Sequence, residues 1–176
     1  MGSEFSLSHN PDSVGVPGVP GVPGAPALSP AHVQRDSRPQ QAAAVPYRVD
    51  PEGDLWVLLV TNSRGEWIVP KGTIEPNRSA EQTALIESLE EAGITGTLDK
   101  AELGRYTYVK GGASLLVAVY SMRVDRVLVR WLEQADRERE WFRYVEATER
   151  LSRTDLRKLL RVLHDRLAGA AKLSAA

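Results

Sequence analysis

A sandwich of helices on a mixed β-sheet, of the α/β or α+β class, is predicted by three features of this sequence. Leu55 to Thr61 and Leu115 to Tyr120 are apolar runs with the length of buried strands. A helix with its own start and stop signals interrupts the strands in mid-chain. A second helical pattern, Leu156, Leu159, Leu160, Leu163 and Leu167, closes it.

The chain of 176 residues begins Met-Gly-Ser-Glu-Phe, which resembles an expression-vector scar and is left out of the fold argument. Gly15 to Pro26 reads GVPGVPGVPGAP, a Pro/Gly-rich stretch with almost nothing to bury, so residues 1–39 are expected to form a disordered leader. The folded domain is expected over residues 40–172. Ala42 to Val49 reads as a short strand, Asp50-Pro51-Glu52-Gly53 as a turn, and Leu55 to Thr61 as a buried strand. After the turn Asn62-Ser63-Arg64-Gly65 comes a brief strand, Trp67 to Pro70, which the proline stops. The helix spans about Ala80 to Ala92: Ser79 with Gln82 forms a capping box, and Gly93 supplies a left-handed stop. Two longer strands, Leu98 to Val109 and Ala113 to Val124, flank Lys110-Gly111-Gly112, and the second is expected to be central. Trp141 to Tyr144 is a last short strand, and an amphipathic helix runs from about Thr154 to Leu167.

Composition narrows the function. With 22 Lys+Arg against 23 Asp+Glu the formal net charge is -1, so bulk attraction to nucleic acid or to an anionic membrane is not expected. The absence of cysteine excludes disulfides, thiolate metal centres and thiol nucleophiles, and fits a reducing compartment. No apolar run approaches the roughly 18 residues of a membrane span, and no basic-then-apolar leader is present. The expectation is a cytoplasmic protein, monomer or homodimer, that handles a small molecule.

The mid-chain helix carries the chemistry. At about 100° per residue, with Glu87 at zero, Glu90 falls at about 300° and Glu91 at about 40°, so the three carboxylates share a face. Leu85, Leu89 and Ala92 fall between about 140° and 200°, which predicts that this side packs and the acidic side does not. Like charges at these spacings repel unless a cation sits among them, and clustered oxygens suit Mg²⁺ or Mn²⁺. The bland reading of such a cluster is a solvated charged face.

The flanks change that balance. Lys71-Gly72-Thr73-Ile74-Glu75-Pro76 leads into the helix and Glu87-Ser88-Leu89-Glu90-Glu91-Ala92-Gly93-Ile94 ends it. Together they resemble the Nudix box, GX5EX7REUXEEXGU with U aliphatic, in register from Gly72 to Ile94. Trp67 to Pro70, Glu91 to Leu98 and Arg139 to Phe142 resemble the diadenosine polyphosphate and diphosphoinositol polyphosphate phosphohydrolases of that superfamily. The resemblance implies an α/β/α sandwich with a mixed sheet. It also implies a phosphoanhydride substrate and a Mg²⁺ or Mn²⁺ cofactor held by Glu87, Glu90, Glu91 and the carbonyl of Gly72. Glu87 or Glu91 would act as base, with Glu138 and Glu140 in reserve.

Three box positions depart from the pattern: Arg78 replaces its first glutamate, Ile86 its arginine and Ser88 an aliphatic residue. These departures keep a second reading open, a weakened domain that binds a nucleotide or polyphosphate without cleaving it. Arg48, Arg64, Lys71 and Arg78 are the candidate phosphate-binding cations. Trp56, Trp67, Trp131 and Trp141 are candidates for stacking on a base, against the plainer reading of core tryptophans.

Overall fold

The computed structural model describes residues 38–174; the vector-like start and the repeat Gly15 to Pro26 lie outside the described residues. The elements are β1 (Gln41–Val49), β2 (Leu55–Thr61), β3 (Trp67–Ile68), β4 (Lys71–Thr73), α1 (Ala80–Ala92), β5 (Ile94–Leu98), β6 (Gly104–Lys110), β7 (Ala113–Val127), β8 (Arg139–Arg143), α2 (Tyr144–Arg150) and α3 (Thr154–Ser174). All eight strands join one mixed sheet. Its centre is the parallel pair β1 and β7, in register from Gln41 opposite Val117 to Tyr47 opposite Arg123.

Each central strand divides its outer edge between two short strands. β1 holds β4 along Gln41 to Ala43 and β2 along Tyr47 to Val49. β7 holds β6 from Ala113 to Val119 and β5 from Met122 to Val127. The central position expected for Ala113 to Val124 is therefore observed. β8 pairs with β2, and β3 with the end of β2.

Alternation along the strands builds two cores. One face presents Val45, Tyr47, Val57, Leu59, Val117, Val119 and Phe142 to Leu156, Leu160 and Leu163 of α3. Fully burying each of those leucines contributes about 1.5–3 kcal/mol. The other face offers Ala42, Ala44, Leu58, Val60 and Ala118 to α1. The alanines let the helix backbone come close.

The start and stop signals of α1 work as read. Ser79 accepts from the Gln82 backbone, the Gln82 side chain accepts from the Ser79 N–H, and Gly93 adopts φ 61° while its N–H closes on Leu89 O. A side chain at position 93 would also collide with Trp131. Having no basic residue in its own last turn, α1 has its final carbonyls met by Arg139, which donates to Ala92 O at 2.6 Å.

Several expectations are corrected. The packing of α1 is turned from the one expected: Ala92 is buried as read, but Leu85 and Leu89 are 38% and 41% exposed, while Thr83, Ala84, Ser88 and Glu91 are buried. Close approach to the β1 alanines admits only small side chains, and Glu87 and Glu91 face inward beside β4. Of the strand expected from Leu98 to Val109, only the part from Gly104 is one, β6, while Asp99 to Leu103 is not strand; β5, which ends at Leu98, and β4 and α2 were not foreseen. Tyr144 opens α2 rather than ending β8, and α3 continues beyond Leu167 to Ser174. No helix among the described residues is long and apolar enough to cross a membrane.

Candidate active site

Glu87 and Glu91 project from α1 toward β4. A methyl group at Gly72 would overlap the Glu87 carboxylate, so the absence of a side chain there is what admits it. Glu91 is 5% exposed and accepts a hydrogen bond from the Lys71 backbone N–H at 2.8 Å on Oε2. Its Oε1 accepts from Arg137 Nη2. Burial nonetheless dominates and pushes the Glu91 carboxyl up to about 7; the Lys71 N–H and Arg137 oppose the rise and Glu87 adds to it. Glu87 is likewise raised, by burial first and then by the charges of Glu90 and Glu133. Burial lowers the pKa of Lys71, with Glu91 and Glu87 acting against it.

Glu91 and Gly72 line a cleft of about 990 Å³ together with cations from five segments: Arg64, Lys71, Lys110, Arg137 and Arg153. Its aromatic wall is Tyr106 and Tyr108 of β6. Tyr108 donates to Gln41 Oε1 at 2.7 Å, Lys71 Nζ lies 5.4 Å from the Tyr108 ring, and the Arg153 guanidinium lies 4.8 Å from the Tyr106 ring. Tyr106 Oη and Arg153 Nε are buried without a hydrogen-bond partner. Unsatisfied polar atoms of this kind cost about 1–3 kcal/mol each, a cost that a bound polar group relieves.

Of the candidates read from the sequence, the structure brings Glu91, Gly72, Lys71 and Arg64 to the cleft, with Glu87 beside Gly72. Glu90 and Arg78 do not line it. Arg48 lies elsewhere, over the rings of Trp141 at 4.5 Å and Trp56 at 5.4 Å. Glu138 and Glu140 are exposed and outside the cleft lining. The tryptophans do not line it either. Trp67 packs edge-on against Phe142, and Trp131 donates to Glu91 O at 3.1 Å. Ser88 is buried with its hydroxyl bonded to Ala84 O at 2.7 Å, so a hydroxyl in an aliphatic position leaves no unsatisfied group.

Among the described residues no three His, Cys, Asp or Glu side chains form a ready-made cation cage, so the three-carboxylate cluster expected on α1 does not close up as such. The donor set still suits a hard divalent cation. Glu87 is half-buried and Glu91 buried one turn apart on α1, the Glu87 charge helps to raise the Glu91 pKa, and the Glu87 carboxylate packs against Gly72.

A model of the NUDIX domain matches residues 38–163. The chain belongs to the Nudix family. Nudix hydrolase 4 of Arabidopsis thaliana is 34% identical over 120 residues, 62% of this chain and 58% of that protein. Diphosphoinositol polyphosphate phosphohydrolase 2 of Mus musculus is 33% identical over 117 residues, 64% of this chain and 63% of that protein. The chain thus spans less than two thirds of the length of either relative. A crystal structure of a C. elegans Ap4A hydrolase binary complex superposes with a TM-score of 0.64 at 26% identity, covering 73% of this chain and 97% of that one. The Nudix fold expected from the box is the fold observed, with α1 as the box helix and Gly72 on the strand before it.

The Nudix box revealed the acidic helix and Gly72. Arg137, Arg153, Tyr106 and Tyr108 lie outside it and were missed in the sequence. The alternation in Arg105-Tyr106-Thr107-Tyr108 signals a strand, but nothing local ties it to Glu91.

Proposed function

We propose that this chain is a divalent-cation-dependent pyrophosphohydrolase that cleaves a phosphoanhydride bond by attack of water. Its proposed substrates are dinucleoside polyphosphates such as diadenosine polyphosphates, inositol pyrophosphates or nucleotides. The observation that carries the reading is the cleft itself, in which a buried acidic corner, Glu91 and Gly72 with Glu87 beside them, opens into walls that supply Arg64, Lys71, Lys110, Arg137 and Arg153. A chain of phosphates matches that layout, with negative charge along its length and a scissile linkage at the acidic end.

Glu87, Glu91 and the Gly72 carbonyl would hold Mg²⁺ or Mn²⁺, with the Glu90 charge acting on Glu87. When bound, the ion supplies positive charge to phosphate oxygens and makes water a stronger nucleophile. The chain's own residues do the rest. Lys71, on β4 beside the acids, and Arg153 neutralise phosphate oxygens in the cleft. The Tyr108 ring offers a face for a base. Glu91 is the candidate base, with Glu87 next to it.

The test is incubation of the full chain with Mg²⁺ and a panel of diadenosine polyphosphates, nucleotide sugars and inositol pyrophosphates, with products identified by anion-exchange chromatography. Turnover of at least one is expected. Absence of any turnover, with tight binding of one compound left uncleaved, supports the non-hydrolytic binding domain instead.

A further inference from the structure

Resting on the cation-site reading above, we infer that Arg137 is the built-in counter-ion of the acidic corner, holding Glu91 until a divalent cation displaces it. α1 carries no basic residue in its last turn, and Ile86 stands one turn before Glu90 where the box pattern has arginine. The neutralising charge comes from the segment between β7 and β8. There Arg137, with 16% of its side chain exposed, pairs Nη2 with Glu91 Oε1 and Nε with Glu133 Oε2 at 2.6 Å, and donates from Nη1 to Thr61 O at 2.8 Å.

Three features make this an exchangeable counter-ion as well as a staple. First, the partner carboxylate is one that the cation would use. Both Glu91 oxygens are engaged, by Arg137 and by the Lys71 N–H, so an incoming cation must share or replace the arginine's hold. Second, Arg137 has somewhere to stay when it lets go, because its Nε and Nη1 remain bonded to Glu133 and Thr61 O. Third, Arg137 itself lines the cleft, so the freed guanidinium remains where phosphate oxygens would lie. Removing one partner from a buried charge pair leaves the other uncompensated, and the remaining acid then attracts a cation more strongly.

The experiment is Mn²⁺ titration of the full chain by electron paramagnetic resonance, with thermal unfolding followed in parallel, for wild type, Arg137→Gln, Arg137→Lys and Arg137→Gln with Ile86→Arg. Arg137→Gln, which keeps amide donors but loses the charge, should bind Mn²⁺ at least about five-fold more tightly. It should lose thermal stability without Mn²⁺ and regain most of it with saturating Mn²⁺. Arg137→Lys keeps the charge and should stay within about two-fold of wild type. Ile86→Arg in the Gln background should move both quantities back toward wild type. In the wild type, Mg²⁺ should shift the Arg137 Nε–H resonance, a readout that needs no uncharged variant to fold.

Unchanged Mn²⁺ affinity in Arg137→Gln, an equal stability loss with and without Mn²⁺, no return in the double variant, or an unmoved Nε–H resonance each overturns this inference alone. Absence of Mn²⁺ binding to the wild type overturns the cation-site reading and this inference with it.

Discussion

Raising the pH of the cation-free protein from 5 to 8 should destabilise it, against the usual behaviour of paired carboxylates. Glu91 is held at about 7 in the folded chain against an ordinary value of 4.5. The folded state therefore binds its proton more tightly than the unfolded one. The stabilisation that protonated Glu91 brings is complete below 4.5 and is lost as pH rises through 7. At about 1.4 kcal/mol per pH unit the gap amounts to roughly 3 kcal/mol, undiscounted for solvent because the side chain is nearly fully buried. Glu87, raised for the same leading cause, acts in the same direction. Urea unfolding in EDTA at constant ionic strength measures this directly, with Glu91→Gln as the control that should flatten most of the slope. Saturating Mg²⁺ should flatten it too, since an ion at the carboxylates keeps them ionised at both pH values. Wild-type stability that is level or rising between pH 5 and 8, or an equal fall in Glu91→Gln, would refute the reasoning.

Three substitutions separate cation binding from phosphate binding. Gly72→Ala puts a methyl group on the Glu87 carboxylate and should weaken Mn²⁺ binding by at least about ten-fold. The urea midpoint should move little, because Gly72 sits in a short strand with no positive φ, and a large stability loss would assign it a folding role instead. Lys71→Met and Arg153→Met should each raise KM about ten-fold with a smaller effect on kcat, read from steady-state kinetics. The Lys71 N–H that holds Glu91 survives the first of these changes, so an equal loss in kcat would place the Lys71 side chain at the reacting atoms.

Local signals carried the parts of the fold that are decided locally. Ser79, Gln82 and Gly93 fix both ends of α1 by hydrogen bonds within a few residues, and both ends are found where those residues place them. β2 is an apolar run that reads as a buried strand in any context. β4 has no such signal: Lys71-Gly72-Thr73 is extended because β1 lies alongside it. The orientation of α1 was misread because leucines usually mark the packed side. Here the alanines of β1 leave room only for Ala84, Ser88 and Ala92, and the leucines turn outward. The site followed the same division. Glu87, Glu91 and Gly72 share one continuous motif, whereas Arg137 reaches Glu91 across 46 residues of sequence, a contact that only the folding of the β7–β8 segment over α1 creates.

The central claim is that the inward glutamates of α1 carry a cation-dependent cleavage. Turnover of a diadenosine polyphosphate with Mg²⁺, compared between wild type and Glu91→Gln at matched folded fraction, tests it most directly. The expected result is cleavage abolished by EDTA, restored by Mg²⁺, and reduced at least about hundred-fold in the variant, on the scale of a lost catalytic acid–base group. Turnover that survives both EDTA and Glu91→Gln would contradict it.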